Sequence, residues 1–125
     1  MSDLKESPIF VKMFELVAWV IPLTVKFPRE QRFVVASALQ QATFAAHESL
    51  VRAAQSTTPA ETVEHLHEAA TQLAMIRFHL RLSERLLLIT TRRYELASEQ
   101  LGEIGRLLRA WQRACHERLH QVQGQ

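Results

Sequence analysis

The sequence holds few residues that stop a helix, cross-link a chain or pair it into a sheet. Its single cysteine, Cys115, excludes an internal disulfide and fits a reducing compartment. Three glycines and four prolines leave little material for a loop-rich or low-complexity chain. No segment alternates apolar and polar residues with period two, so no strand is predicted. No apolar run approaches the roughly 20 residues of a membrane helix. The closest, Phe14 to Val25, is shorter, follows charged residues and contains Pro22. It also lacks the basic start and small-residue cleavage site of a secretory signal, which predicts a soluble, cytoplasmic protein without membrane association. Catalytic groups are missing as well. No Ser/His/Asp arrangement, phosphate-binding loop or buried carboxylate pair can be assembled, so neither an enzymatic activity nor a cofactor is predicted.

What is present is helical. The 125 residues, 47% of them hydrophobic, suffice for one domain, 1–125, with a core that needs no metal or disulfide. After a frayed polar start over residues 1–6, Ser7 and Pro8 supply an N-cap and a first helical residue. Ile9, Met13, Leu16, Val17 and Val20 then recur at helical spacing, predicting a helix over 8–26 whose last turns Pro22 bends or loosens. Pro28 marks a turn before a second helix, 29–55, with Phe33, Ala36, Gln40, Phe44, His47 and Val51 along one face. Thr58, Pro59 and Glu61 make a capping-box start for a third helix, 59–89. Thr90 and Thr91 re-cap the chain for a fourth, 92–120, whose core side is Tyr94, Ala97, Leu101, Ile104, Leu108, Trp111 and Cys115. On that side Cys115 reads as a small hydrophobe rather than a nucleophile. The tail 121–125 is read as disordered. Short connections between long helices predict an all-α, antiparallel up-down-up-down four-helix bundle.

The third helix is apolar on two sides. Leu66, Ala69, Ala70, Leu73, Leu80 and Leu87 share one face, and Met75, Phe78, Leu82, Leu86 and Ile89 fall roughly opposite. A helix with two apolar faces needs two things to pack against. The bundle supplies one, and a second copy of the chain is the expected other, across Met75, Phe78, Leu82, Leu86 and Ile89.

Charge is unevenly distributed. Residues 1–75 carry six Lys or Arg against eight Asp or Glu, whereas residues 76–125 carry nine Arg against five Glu. Arginine suits bidentate pairing with phosphate or carboxylate. Arg77, Arg81 and Arg85 form a stripe on the third helix. Arg77 lies close to the Leu73–Leu80 line, so it is fully solvated only if the helix is rotated; otherwise it is a buried or interfacial guanidinium needing a carboxylate (Glu84, Glu99 or Glu103), a carbonyl or a phosphate as partner. Arg106, Arg109, Arg113, His116 and His120 line one side of the fourth helix, and Arg92 and Arg93 add charge at the turn. Such a stripe tracks a phosphate backbone or an acidic protein surface; its plain alternative is a solvated face.

Gly102 and Gly105 each cost about 1 kcal/mol in a helix relative to Ala, and the position of Gly105 on the core side beside Leu101 and Leu108 predicts close approach of another helix. Two Glu-x-x-His pairs, Glu64/His67 and Glu117/His120, with Glu15 and Glu48, have the composition of a di-iron ligand set. Both pairs point away from the core faces of their helices, so no metal site is predicted.

The stretches AMIRFHLRL and QLGEIGRLLRAW resemble the Avd family, the accessory variability determinants of diversity-generating retroelements. The matching positions are Arg77, Phe78, Arg81, Glu103, Ile104, Gly105, Arg106, Leu108 and Trp111, and the turn Lys26-Phe27-Pro28-Arg29 also suits the family. Arg109 departs from it, standing where the family often has Gly. The resemblance implies a four-helix bundle assembled as a ring-like homo-oligomer, a pentameric barrel, with a basic surface. It further implies a non-enzymatic role beside a reverse transcriptase, binding template RNA and cDNA with little sequence preference to support mutagenic retrohoming. The expected contacts are Arg77, Arg81, Arg85, Arg92, Arg93, Arg106, Arg109 and Arg113. The rival is a structural four-helix oligomer of the similar family encoded within ribosomal-RNA intervening sequences.

Overall fold

The computed structural model describes residues 7–124; the polar start expected over residues 1–6 lies outside them. Four α-helices follow one another: α1, Pro8–Val25; α2, Ser37–Gln55; α3, Pro59–Arg85; and α4, Thr91–Gln123. The described residues contain no strand. Each helix packs on its sequence neighbour, and α4 returns to α1. The four therefore form a square in which α1 and α3 stand diagonally opposite.

Directions follow from contacts between named residues. Phe10, near the start of α1, lies 6.4 Å from the Trp111 ring late in α4 and 6.2 Å from His47 of α2. At the other end of α1, the Gln40 amide donates to the Thr24 hydroxyl at 2.8 Å. α1 thus runs antiparallel to both neighbours.

The core is a continuous aliphatic column. Met13, Leu16, Val20, Leu39, Leu50, Leu66, Ile76, Leu80 and Ile104 are fully buried within it. α2 and α3 share the most extensive contact. Small residues allow it: Ala42, Ala46, Ser49 and Ala53 of α2 are buried, as are Thr62 and Ala69 of α3. Buried hydroxyls in this layer are satisfied locally, Thr43 donating to the Leu39 carbonyl and Ser83 to that of His79, both at 2.7 Å.

The helix ends differ from the sequence reading in three places. The second helix does not start directly after Pro28. A 3₁₀ turn, Arg29–Gln31, and a π-helical turn, Arg32–Ala36, precede it. Val35, Ala36, Leu39 and Ala42 face inward, and the face read along the second helix divides: Ala36 is buried, whereas Phe33 and Phe44 are exposed. The third helix stops at Arg85 rather than 89, because Leu87 takes a left-handed conformation with φ 62°. The Leu88 N–H then donates to the Ser83 carbonyl at 2.8 Å and closes the helix end. The fourth helix continues through the expected disordered tail to Gln123, since nothing between His120 and Gly124 interrupts it. Thr58 and Thr90 act as N-caps, accepting from the N–H groups of Glu61 and Arg93 at 3.2 and 3.1 Å.

Candidate nucleic-acid interface

The helical hairpin α3–α4 carries Arg77, Arg81, Arg85, Arg92, Arg93, Arg106, Arg109 and Arg113, and every one of them is exposed. Arg77 is accordingly not the buried guanidinium that its place near Leu73 and Leu80 suggested. The helix is rotated so that Leu73, Ile76 and Leu80 enter the core and Arg77 leaves it. The acid expected nearby is engaged elsewhere, because Glu103 pairs with Lys12 of α1. That hydrogen bond, and then the charge of Lys12, holds the Glu103 carboxyl below its ordinary value. Among the described residues the eight arginines make a single ion pair, Arg92 to Glu95 at 3.9 Å.

Three of the eight converge. Between α3 and α4 runs a groove of about 310 Å³, lined on one side by Ala70, Ala74 and Arg77 and on the other by Gly102, Gly105, Arg106, Arg109 and Gln112. No carboxylate lines it. The glycines do not receive another helix here. A Cβ added at Gly105 would meet the Arg109 guanidinium at 3.2 Å, and one at Gly102 would meet that of Arg106 at 3.7 Å. The space beside the glycines is bordered by arginines of α4 itself, four residues on.

The remaining arginines do not line that groove. Arg93 borders a second cleft, of about 480 Å³, at the α3–α4 turn, where Leu23, Leu87, Leu88 and Ile89 meet Lys26 and Glu84.

The apolar face expected on α3 divides. Met75, Phe78 and Leu86 are exposed, Leu82 is half-buried, and Ile89 is buried in the protein's own core. Ile89 is therefore corrected out of that face; the turn after Arg85 carries it inward. A stripe on α1 was missed by the pattern reading. Val11, Phe14 and Val25 are exposed, Phe14 to 71%, although α1 buries Ile9, Phe10, Met13, Leu16, Val20 and Leu23 on its other side. The available signal was that α1 is apolar on most sides apart from Lys12 and Glu15; contrary to the sequence reading, which counted only Phe14 to Val25, the whole helix Pro8–Val25 is long and apolar enough to cross a membrane by length and composition alone.

The Glu-x-x-His pairs lie on the outside: Glu64, His67, Glu117 and His120 are all exposed, as are Glu15 and Glu48. Among the described residues no three His, Cys, Asp or Glu side chains come together as a metal cluster. Cys115 is fully buried and accepts from Arg118 at 3.2 Å.

Comparison with known proteins adds two findings. A family model described as bAvd-like matches residues 9–115. Among solved structures, the chain is similar to a protein of unknown function from the S23 ribosomal protein family of Bacteroides thetaiotaomicron VPI-5482. The two superimpose with a TM-score of 0.78 at 22% identity, over 84% of this chain and 95% of the other. That likeness is one of fold. No curated protein matches the chain.

Proposed function

The chain belongs to the bAvd-like family, and from that premise we propose that it is a non-enzymatic accessory protein of a diversity-generating retroelement. It acts in the cytoplasm, binding the reverse transcriptase together with template RNA and cDNA in support of mutagenic retrohoming. The observation that carries this reading is the concentration of exposed arginines, almost none of them ion-paired, on one helical hairpin. Guanidinium groups left without carboxylates are available to phosphates, and clustered positive charge attracts a polyanion over a Debye length of about 8 Å at physiological salt.

A homo-oligomeric ring, a pentamer, belongs to the same proposal. The exposed apolar stripes lie on α1 (Val11, Phe14, Val25) and α3 (Met75, Phe78, Leu86), helices that stand diagonally opposite in the square. Two unlike sticky faces on opposite sides of a protomer favour head-to-tail contact, which makes a ring where the rotation between protomers closes and a filament where it does not; the family resemblance favours the ring.

The test is fluorescence anisotropy of a labelled structured RNA across a salt series. Affinity is expected to fall by several orders of magnitude between about 50 and 200 mM salt, as counterion release requires for six or more phosphate contacts. Arg81→Glu with Arg113→Glu is expected to weaken binding at least tenfold while far-ultraviolet circular dichroism stays unchanged. Absence of binding even at low salt would remove the nucleic-acid role.

A further inference from the structure

We propose that the groove between α3 and α4 seats consecutive phosphates of a single-stranded polynucleotide, held by Arg77, Arg106 and Arg109 with the last two pre-placed over Gly102 and Gly105. The inference rests on the nucleic-acid reading above and narrows it to one place and one strand form. Three features of the groove lead there.

The first is charge without compensation. Arg77 reaches the groove from α3, Arg106 and Arg109 from α4, and no acidic side chain lines it. Three cations around about 310 Å³ repel one another until an anion enters.

The second is the glycine seat. The Arg109 guanidinium lies 3.2 Å from where a Cβ on Gly105 would stand, a tight approach, and the Arg106 guanidinium lies 3.7 Å from where one on Gly102 would stand, an ordinary van der Waals contact. A guanidinium already resting against helix backbone loses less rotamer freedom on meeting a phosphate than one waving in solvent. Arg106 and Arg109 sit one turn apart, roughly 5 Å along the axis, so they present two donor forks in a row to a strand following the groove.

The third is shape. The large aliphatic side chains at the groove, Leu73, Leu101 and Leu108, are buried beneath its floor. What apolar lining stays open is mainly that of Ala70 and Ala74, which offers little to the aromatic or aliphatic anchor on which a protein partner's binding energy usually centres. A duplex is too broad to enter so small a groove, whereas one sugar-phosphate backbone fits, and its flexibility lets it adopt the spacing of the arginines.

The experiment uses the full chain, a fluorescein-labelled oligouridylate and anisotropy over a salt series. Gly105→Ala keeps every charge and improves helix propensity, yet its Cβ displaces the Arg109 guanidinium. It is expected to weaken binding about three- to tenfold with an unchanged or raised melting temperature. Arg106→Gln with Arg109→Gln is expected to lower the slope of log affinity against log salt by roughly 1.4, the loss of two single-strand phosphate contacts. The charge-matched control, Arg29→Gln with Arg52→Gln, removes two cations remote from the groove and is expected to leave the slope within about 0.3 of the parent. If both groove variants behave like the control while the parent still binds, the groove is overturned and the broader basic surface stands. That is also the pattern if the groove receives an acidic helix of a protein. If the parent shows no salt-dependent binding, the groove and the proposed function fall together.

Discussion

At the scale of single residues, Leu87 is the one non-glycine residue with a positive φ among the described residues. Its φ of 62° is the left-handed conformation that closes α3, and its side chain is 89% exposed, so little packing offsets the strain. A non-glycine residue there costs about 1–2 kcal/mol. Leu87→Gly is expected to raise stability by about 1 kcal/mol, seen as a higher urea midpoint with unchanged slope. His79 makes a second prediction. Burial lowers its pKa from 6.5, and its Nδ1 is buried without a partner among the described residues. The unfolded chain therefore takes up this proton before the folded one does. Stability from the neutral imidazole is complete above the unfolded value and is lost as pH falls through 6.5 toward the folded value. Thermal melts from about pH 7.5 to 5.5 should show this loss, and His79→Leu should have a shallower dependence than the parent.

At the scale of elements, the join between α1 and α2 depends on one buried hydroxyl. Thr24 is fully buried, donates to the Ile21 carbonyl at 2.9 Å and accepts from Gln40 at 2.8 Å. The α-helix runs through Pro22 to Val25, and these bonds lie just beyond the turn in which the proline leaves the Ala18 carbonyl without its backbone donor. Thr24→Val keeps the shape but leaves the Gln40 amide without its acceptor. The expected cost is about 1–3 kcal/mol by urea unfolding. On the α3–α4 side, by contrast, the Thr90 cap and the closure at Leu87 set a turn of fixed geometry between the helices that carry the arginines. The convergence of Arg77 with Arg106 and Arg109 follows from that register.

At the scale of the whole molecule, the diagonal placement of the two apolar stripes leads to a prediction that distinguishes ring from dimer. Phe14 and Phe78 are 71% and 55% exposed on opposite helices of the square. Phe14→Glu and Phe78→Glu are each expected to break a head-to-tail ring into monomers in sedimentation velocity. Mixed together, they should recover one intact contact and sediment as a one-to-one dimer, because the good α1 face of one variant meets the good α3 face of the other. A symmetric dimer built from like faces would not need the mixture.

The all-α class, the inner faces of α1 and α4 and the caps at Thr58 and Thr90 were legible in the sequence, because helical periodicity and capping are local properties of the chain. So was the arginine-rich second half, which is composition. Only tertiary structure decided which apolar residues stayed outside. Phe33 and Phe44 stand on the side of the second helical segment opposite the buried Leu39, Ala42, Ala46, Leu50 and Ala53, and the left-handed Leu87 carried Ile89 into the core. Arg77 left the core line, and Gly105 came to lie against an arginine of its own helix instead of a neighbouring helix. In each case a change of backbone over a few residues, or of rotation by part of a turn, moved a side chain from one environment to another. Periodicity assigns residues to a face, but packing against the other three helices chooses which face is buried.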